Sequence, residues 1–361
     1  MAALVRAYLD CRASKRNSAS ALAFEQHAER NLLALLDELQ AGTYQPGRSI
    51  CFFITRPKPR EVWAAAFRDR VVHHLLYNHI APRFHAGFVA GSSACIPGRG
   101  TLYAAHRVLH GARSVTENWT RPAHYLKCDL ANFFVAIDKH VLLAQLARRV
   151  HEPHWLALAS LILLHDPRAD VEVRGPRSLL RLVPPHKSLF NAPADTGLPI
   201  GNLSSQFFAN VHLDALDQHV VHQLRPAHYA RYVDDFILMH RDPQALSAAL
   251  RDVTAWLPAQ LHARLNPRKT ILQPVARGID FVGHVIKPHS HTLRRKSLRT
   301  ALARLETLPE AETYAAGNSY FGLARQVGDG FTDRARIARA MLKRGHVVNG
   351  EMTKGFRKAR A

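Results

Sequence analysis

The sequence contains few cysteines and no characteristic arrangement of them. Only four of its 361 residues are cysteines, and no two have the Cys-x-x-Cys spacing. This argues against a zinc site and a disulfide framework, and it is typical of the reducing cytosol. The 23 histidines include no His-Glu-x-x-His pattern. We interpret His73 and His74, which fall in a predicted helix, as a surface or packing pair.

Long apolar segments are also lacking. No run reaches the ~18 apolar residues needed to cross a membrane, and the amino terminus has no apolar core of the length that a signal peptide requires. No long basic helix with an apolar face indicates binding at a membrane surface. The sequence therefore predicts a cytoplasmic protein with no membrane partner.

Acidic residues are scarce relative to basic ones. Asp and Glu total 28 against 49 Lys and Arg, which gives a net charge of +21 and an isoelectric point near 10.5. A field of this sign attracts polyanions, of which nucleic acid is the usual one; a merely basic protein is the alternative. The hydrophobic fraction of 47% and the length allow a large core and two or three subdomains.

Two adjacent acids interrupt an apolar segment at Tyr232-Val-Asp-Asp235. The flanking residues, 229–233 and 236–239, predict two short strands. Neighbouring carboxylates at the tip of a buried hairpin repel each other and lose hydration, so a cation that prefers oxygen ligands, such as Mg²⁺, would compensate them. The alternative is an ordinary Asp-Asp turn.

A third acid favours the metal site over the turn. An alternating segment that ends in Asp129 places Tyr125, Lys127 and Asp129 on one face of a strand, and Phe133-Phe134 follows. Two strands with an acid at one end, about a hundred residues apart in the sequence, are what a two-metal nucleotidyl-transfer site needs. In such a site Asp129 and Asp234 would bridge two ions ~3.5–4 Å apart.

Hydrophobic periodicity completes an α+β pattern. Helices are predicted at residues 19–40 (ended by Gly42), 63–81, 139–164, 203–224 and 243–261, and strands at 51–60 and 280–286, the latter bent at Gly283. Residues 165–199 predict an irregular insertion. From residue 292 onward the chain is predicted to be helical and strongly basic.

The acid followed by Phe-Phe, together with the Tyr-x-Asp-Asp hairpin, resembles the palm of reverse transcriptases. Seven blocks between about residues 50 and 290 match the ordered motifs of that family. The resemblance implies an α+β right-hand polymerase with an antiparallel, ferredoxin-like palm. It implies fingers and N-terminal helices at 1–120, a palm with part of the fingers at 121–288, and a helical basic thumb at 289–361.

A further block, Ile200-Gly-Asn-Leu-Ser-Ser-Gln206, resembles the aliphatic-Gly-x-x-x-Ser-Gln signature of diversity-generating retroelement reverse transcriptases of bacteria and phages. Most other reverse transcriptases have Gln before this Gly, so Ile200 replaces that Gln. The resemblance implies error-prone copying of a template RNA into cDNA, with misincorporation opposite adenine, as a step of mutagenic retrohoming. It implies template RNA, a cDNA or primer strand, dNTPs and a small basic accessory variability determinant protein as partners.

By the same resemblance, Asp129, Asp234 and Asp235 are the catalytic acids. Asp129 and Asp234 bind two Mg²⁺ ions, for which Mn²⁺ is a substitute, and Asp235 supports the metal site electrostatically. The backbone carbonyl of Leu130 completes a metal shell.

Other residues are implied to contact the nucleotide or the template. Lys58 and Arg60 correspond to fingers residues that hold the incoming triphosphate, with a solvated basic strand as the alternative. Phe134 corresponds to the steric gate that excludes a ribonucleotide 2′-hydroxyl, with a core ring as the alternative, and Phe133 is interpreted as core. Arg99 is a further candidate for template contact.

Five more positions follow from the same motifs. Lys269 falls where polymerases place a candidate general acid for pyrophosphate departure, a role that needs a lowered pKa; a surface lysine in a turn is the alternative. Ile200 and Gln206 are implied to contact the substrate. The side chains of Ser204, Ser205 and Gln206, which open the helix, are expected to cap it as well as to contact template or nucleotide.

Two rival functions remain open. A stand-alone reverse transcriptase of a defence system or retron would use the same chemistry on another template, and a neighbouring template and variable repeat pair in the genome would distinguish the two. A catalytically silent RNA-binding chaperone would have no need for the acid cluster.

Overall fold

The computed structural model describes residues 1–13, 18–56 and 58–357. Pro57, within the predicted strand 51–60, and residues 358–361, within the predicted thumb, therefore lie outside the described residues.

Helices and short strands are mixed along the described chain, which confirms the predicted α+β fold class. The helices are α1 Ala2–Arg12, α2 Ala19–Glu25, α3 Ala28–Ala41, α4 Phe67–His85, α5 Thr101–Val115, α6 Phe133–Ala136, α7 Lys139–Ala147, α8 Pro153–Leu164, α9 Leu203–His219, α10 Pro243–Leu261, α11 Arg295–Thr307, α12 Glu310–Ala324 and α13 Phe331–Lys343. The strands are β1 Ser49–Ile54, β2 Arg60–Ala64, β3 His124–Asp129, β4 Val171–Arg174, β5 His228–Tyr232, β6 Asp235–His240, β7 Ile271–Pro274, β8 Ile279–Phe281, β9 His284–Lys287, β10 Ser290–Leu293, β11 Val347–Val348 and β12 Gly355–Phe356.

A four-stranded antiparallel sheet forms the centre of the molecule. Its strand order is β5-β6-β3-β7. Helix α9 precedes β5, and helix α10 connects β6 to β7. The first and third strands of this sheet along the chain are thus central, as in the ferredoxin-like β-α-β-β-α-β unit.

Both faces of this sheet are buried, and this fixes its register. Leu126 and Phe236 contribute to the largest core, which includes residues of α4 and of α7 to α10. Tyr125 and Ile237 contribute to a second core, with residues of α5, β8 and β9. The predicted alternation of β3 is confirmed. A slip of one residue would exchange the side chains of the two cores.

A second sheet, of order β2-β1-β4, corrects two predictions. The insertion at 165–199 contributes β4, which pairs in parallel with β1. Trp63, predicted to begin a helix, lies in β2 because its ring is buried with Cys51 and Leu189. Helix α4 begins at Phe67 and continues through Pro82, where the prediction ended it.

The predicted helix at 19–40 is two helices. His27 leaves the helical backbone conformation, with φ −136° and ψ 42°. The side chain of Asn31 donates a hydrogen bond of 2.9 Å to the carbonyl oxygen of Phe24, which satisfies an acceptor at the end of α2. Gly42, with φ 70°, ends α3 as predicted.

The predicted strand 280–286 is a hairpin of β8 and β9. Val282 and Gly283 have φ values of 45° and 90°, as a two-residue type I′ turn requires. Strand β10 completes this small sheet before the helical region begins. The predicted helix 139–164 is also interrupted, because Pro153 begins a new helix, α8.

The last three helices form a core of their own. Leu305, Phe321 and Met341 are each fully buried among α11, α12 and α13. This unit is joined to the small sheet through the backbone N–H of His291, which donates to Asp329 Oδ2 at 2.8 Å.

Candidate active site

Three aspartates lie at one end of the central sheet. Asp129 is the last residue of β3, Asp235 is the first of β6, and the two are partners in the strand register. Asp234 lies in the turn between β5 and β6, and its carbonyl oxygen accepts a hydrogen bond of 3.3 Å from the N–H of Leu130. Acids that are about a hundred residues apart in the sequence are therefore neighbours.

The turn between β5 and β6 has an unusual backbone. Val233 has φ 57°, a left-handed conformation that a β-branched residue rarely adopts. Its carbonyl oxygen accepts a hydrogen bond of 2.9 Å from Nη1 of Arg231. Because such strain persists only where the surroundings over-determine it, we infer that this bond helps to hold the turn.

Arg231 is itself fixed by a buried network. Its Nε and Nη2 donate to Asp217 at 2.7 and 2.6 Å, and Tyr229 donates to the same carboxylate at 2.6 Å. Its remaining contacts are to Ser92 Oγ at 2.8 Å and Asn210 Oδ1 at 3.3 Å. Together with the bond to the turn, these contacts occupy all five guanidinium N–H donors.

The acid cluster is short of positive charge. Burial raises the pKa of Asp234 to about 6, and the neighbouring Asp129 and Asp235 add to this shift. Burial also raises the pKa of Asp235; the nearby Lys127 opposes the shift and Asp129 adds to it. A cation placed among these carboxylates would therefore be bound favourably.

Lys269 supplies one positive charge to this cluster. Its Nζ lies 2.5 Å from Asp129 Oδ2, and Asn266 Nδ2 donates to Asp129 Oδ1 at 3.3 Å. Burial lowers the pKa of Lys269, but its hydrogen bond to Asp129 and the fields of the three acids outweigh burial and raise the pKa. A general acid for pyrophosphate departure needs a lowered pKa, so the pairing of Lys269 with Asp129 does not favour that role.

The donor chemistry of the acid cluster fits a hard divalent cation. Carboxylate and carbonyl oxygens are the ligands of such ions. Burial, together with the neighbouring carboxylates, raises the pKa values of Asp234 and Asp235, and a bound cation would offset both effects. Within the described ranges, no three His, Cys, Asp or Glu side chains are arranged as a metal-binding group. In the acid cluster, the ammonium of Lys269 contacts the carboxylate of Asp129.

The segment of Ile200 and Gly201 docks on β2. The carbonyl oxygen of Ile200 accepts a hydrogen bond of 2.7 Å from the N–H of Trp63. Gly201 has φ 134°, and a Cβ there would lie 2.4 Å from the carbonyl oxygen of Trp63, so only glycine fits. Asn202 accepts a hydrogen bond of 3.0 Å from the N–H of Ala65. The half-buried Ile200 side chain is therefore held on a fixed backbone.

The start of α9 differs from the prediction. Asn202 is the N-cap residue, and its side chain forms no capping hydrogen bond. The predicted capping role of Ser204 is wrong, because its hydroxyl lies 3.2 Å from Nδ1 of the buried His73. His73 is therefore a packing residue, one of the two roles predicted for the His73-His74 pair. Gln206 is exposed, and its Oε1 accepts a hydrogen bond of 3.3 Å from Cys95 Sγ.

Phe134 lies in α6 and contacts the segment that leads to Ile200. Its ring is partly buried and packs on the buried ring of Phe133, with centroids 5.4 Å apart. Its carbonyl oxygen accepts a hydrogen bond of 2.8 Å from the N–H of Leu198. Phe133 is a core residue, as predicted.

Two of the basic candidates are exposed and one is not. Lys58 lies in the connection between β1 and β2, Arg60 is the first residue of β2, and both are exposed. The partly buried Arg99 donates from Nη1 to the carbonyl oxygens of Val89 and Ser92, at 2.8 and 2.7 Å. Arg99 thus stabilises the loop that contains Val89 and Ser92, and Ser92 contacts Arg231. This structural role of Arg99 does not favour contact with the template.

Sequence reasoning missed the residues that support the acids. Arg231 in β5 and Asp217 in α9 are buried among apolar residues. A charged residue within each of these two apolar segments was the sequence feature that could have indicated a buried ion pair. In sequence, Asn266 is close to the predicted Lys269 and Lys127 is close to the predicted Asp129. Only the fold shows that Asn266 contacts Asp129.

Comparison with known proteins identifies the family. The family model described as reverse transcriptase (RNA-dependent DNA polymerase) matches residues 57–286. Protein YkfC of Escherichia coli strain K12 is 25% identical over 321 residues, covering 79% of this chain and 77% of that protein. The chain belongs to the reverse transcriptase family. This confirms the predicted enzyme class, an RNA-directed DNA polymerase and hence a nucleotidyltransferase; the family generally uses divalent metal ions.

Two solved structures are also similar. Telomerase from Candida albicans, in complex with a fragment of telomeric RNA, has a TM-score of 0.49 and 12% identity, covering 84% of this chain and 57% of that chain. Apo telomerase from Candida tropicalis has a TM-score of 0.47 and 13% identity, covering 74% and 60%. The chain thus spans less than two thirds of either telomerase chain.

Helix length and hydropathy bear on the membrane prediction. Across the described residues, no helix is both long and apolar enough to span a bilayer.

Proposed function

We propose that the chain copies a template RNA into cDNA as the reverse transcriptase of a diversity-generating retroelement, in the cytoplasm, with errors concentrated at template adenines. The observation that carries the polymerase site is the pairing of Asp129 with Asp235, with Asp234 in the adjoining turn. The retroelement type rests on the Ile200-to-Gln206 motif. Its partners would be template RNA, a primer or cDNA strand, dNTPs and a small basic accessory protein.

The proposed division into fingers (1–120), palm (121–288) and thumb (289–361) is supported by the elements. All four strands of the acid-bearing sheet fall within 121–288. Helices α11 to α13, with their separate core, fall within 289–361. The exposed Lys58 and Arg60 would belong to the fingers.

The acids would act by holding metal ions. Asp129, Asp234 and the carbonyl of Leu130 would hold two Mg²⁺ ions, or Mn²⁺ in their place, supported by Asp235; such ions activate the primer 3′-hydroxyl and neutralise charge on the phosphates. The buried Arg231 network would keep the hairpin rigid, so that its carboxylates stay in position.

The remaining residues would orient the nucleotide. Lys58 and Arg60 would hold the triphosphate, and the fork of the Arg60 guanidinium matches phosphate oxygens. The partly exposed ring of Phe134 would exclude a 2′-hydroxyl. Lys269, whose pKa is raised, would remain protonated and would neutralise negative charge near the acids.

Ile200 provides a physical reason for low fidelity. An aliphatic side chain makes no hydrogen bonds to the nascent base pair, and apolar packing discriminates less than polar contacts do. The hydrogen bond from Trp63 and the close approach at Gly201 hold the backbone at residue 200, so the chemistry of its side chain would set the contact with the base pair.

Primer extension on a defined RNA, followed by deep sequencing of the cDNA, tests the proposal. We expect Mg²⁺-dependent extension, with substitutions concentrated at template adenines. A matched RNA with guanine at the same positions controls for local sequence. RNA binding without extension, with and without a small basic partner, would indicate the chaperone instead. Uniformly low error would indicate a stand-alone reverse transcriptase.

A further inference from the structure

Cys95 contacts α9, the helix that contains Gln206 of the Ile200-to-Gln206 motif. Its Sγ donates to Oε1 of Gln206 at 3.3 Å. The Cys95 side chain is exposed at the surface, but partial desolvation by its neighbours still raises the pKa of its thiol, so the thiol is protonated at neutral pH and acts as a donor. The amide oxygen of Gln206 therefore faces the thiol. Its two N–H donors have no hydrogen-bond partner among the described residues and remain available to a ligand.

The peptide segment that carries this thiol is held in place from one side. The carbonyl oxygen of Ala94 accepts a hydrogen bond of 2.7 Å from Asn210, one turn along α9 from the motif glutamine. Asn210 also accepts from Arg231, at 3.3 Å, and Arg231 donates to the carbonyl of Val233. A continuous chain of hydrogen bonds thus joins this segment to the Asp-Asp turn.

The backbone of the thiol-bearing residue is also strained. Cys95 has φ 52°, a left-handed conformation that residues other than glycine seldom adopt. Such conformations cluster at functional sites, where the surrounding structure maintains them. The direction of the Cys95 side chain is consequently set by the fold.

We propose that Cys95 is a positioning residue for the polymerase site: it orients the Gln206 amide so that its N–H groups donate to acceptor atoms of the template strand or of the incoming dNTP. This inference rests on the proposed polymerase function. Both ligands offer the same chemistry, hydrogen-bond acceptor oxygens and nitrogens, and the measurements below distinguish them.

A double-mutant cycle in the full chain tests the proposal. The variants are Cys95→Ala, Cys95→Ser, Gln206→Ala and the double variant Cys95→Ala/Gln206→Ala. Alanine and serine carry the same Cβ as cysteine, so the backbone strain is matched and only the donor changes. We expect Cys95→Ala to lower kcat/KM for extension by roughly 2- to 10-fold, the effect of one hydrogen bond. Cys95→Ser should stay within about 2-fold of wild type, because its hydroxyl also donates.

The double variant decides whether Cys95 acts through Gln206. We expect it to be no slower than Gln206→Ala alone, because the thiol then has nothing to orient; multiplicative losses would overturn the proposal. Wild-type activity in Cys95→Ala would also overturn it. A raised KM for dNTP identifies the nucleotide as the ligand, and a weaker RNA affinity identifies the template. Failure of the wild-type protein to extend any primer would instead overturn the proposed function.

Discussion

Arg231 and Asp217 form a bidentate ion pair that water does not reach. The Nε–Oδ1 and Nη2–Oδ2 distances are 2.7 and 2.6 Å, and the side chains are 1% and 0% exposed. The pair joins β5 to α9, and the same guanidinium holds the carbonyl of Val233 in the Asp-Asp turn. The stability of the fold and the geometry of the acids thus depend on one side chain.

Asp217→Asn should destabilise the protein strongly. The substitution leaves the Arg231 guanidinium buried without its counter-charge, which typically costs ~3–5 kcal/mol in the free energy of unfolding. Urea unfolding would measure the change. Glu172→Gln, which removes the partner of the exposed Arg174, is the matched control and should leave the midpoint unchanged. Equal midpoints for the two variants would show that the buried pair contributes no special stability.

Asp234→Asn should abolish extension and leave the fold intact. Burial, together with the neighbouring Asp129 and Asp235, raises the pKa of Asp234, so removal of its charge relieves both desolvation and repulsion in the folded state. Loss of a metal ligand should slow primer extension by at least about a hundredfold, since bound ions supply several kcal/mol of transition-state stabilisation. Asp170→Asn, at an exposed acid, is the control. Extension near the wild-type rate by Asp234→Asn would end the two-metal assignment.

Local sequence signals predicted the elements whose ends they control. Helix α10 runs from Pro243 to Leu261 as predicted, because Pro occupies its first turn and Asp242 accepts a hydrogen bond from the N–H of Gln244. The alternation of β3 and the positions of the acids at the strand ends were also predicted from the sequence. These features are set by neighbours in sequence.

Features set by tertiary contacts were not predictable. Trp63 lies in a strand, although its neighbours have helical periodicity, because its ring is buried with Cys51 and Leu189. The role of Arg231 depends on the position of Asp217 on another element. The pairing of Lys269 with Asp129 spans 140 residues of sequence, so the direction of the Lys269 pKa could not be read from its turn.

Acid should weaken the fold through three buried histidines. Burial lowers the pKa of His73 to about 3 and the pKa values of His212 and His284 to about 4. These rings stay neutral in the folded state, whereas in the unfolded chain they bind protons below pH ~6.5. Stability is therefore full above pH ~6.5 and is lost as the pH falls toward 4, by about 2 kcal/mol per histidine at pH 5.

Urea midpoints at pH 8 and pH 5 measure this loss. His212→Gln should reduce the difference between the two midpoints by about a third, because it removes one of three comparable contributions. His186→Gln, at an exposed position, should keep the wild-type difference. A His212→Gln variant with the full wild-type difference would contradict the assignment.

RNA affinity should fall steeply with salt. A chain of net charge +21 neutralises several phosphates on binding, and each contact with single-stranded RNA adds roughly 0.7 to the slope of log affinity against log salt. Replacing the exposed Arg295, Lys296 and Arg299 by Gln should reduce that slope by about 2. The control replaces Arg6 and Arg30, exposed on α1 and α3. A nearly flat slope for the wild type would show that the basic surface does not bind RNA.

Ile200→Gln should raise fidelity, above all opposite template adenine. Residue 200 is held against β2 through its own carbonyl, and the following Gly201 leaves no room for a shift, so the new side chain should occupy the place of the old one. Glutamine offers a donor and an acceptor beside the nascent base pair, and a mismatch that displaces either partner would leave a polar group unpaired. An unsatisfied buried group costs ~1–3 kcal/mol, or about 5- to 150-fold in selectivity.

The misincorporation spectrum of deep-sequenced cDNA measures this change, with wild type and variant compared on one RNA at matched extension. Ile200→Leu is the matched control, because it keeps an aliphatic side chain of the same volume and should keep the adenine errors. If an active Ile200→Gln enzyme made as many errors at adenine as the wild type, Ile200 would not be the cause of low fidelity. The retroelement assignment would then rest on the motif alone, without a physical mechanism at residue 200.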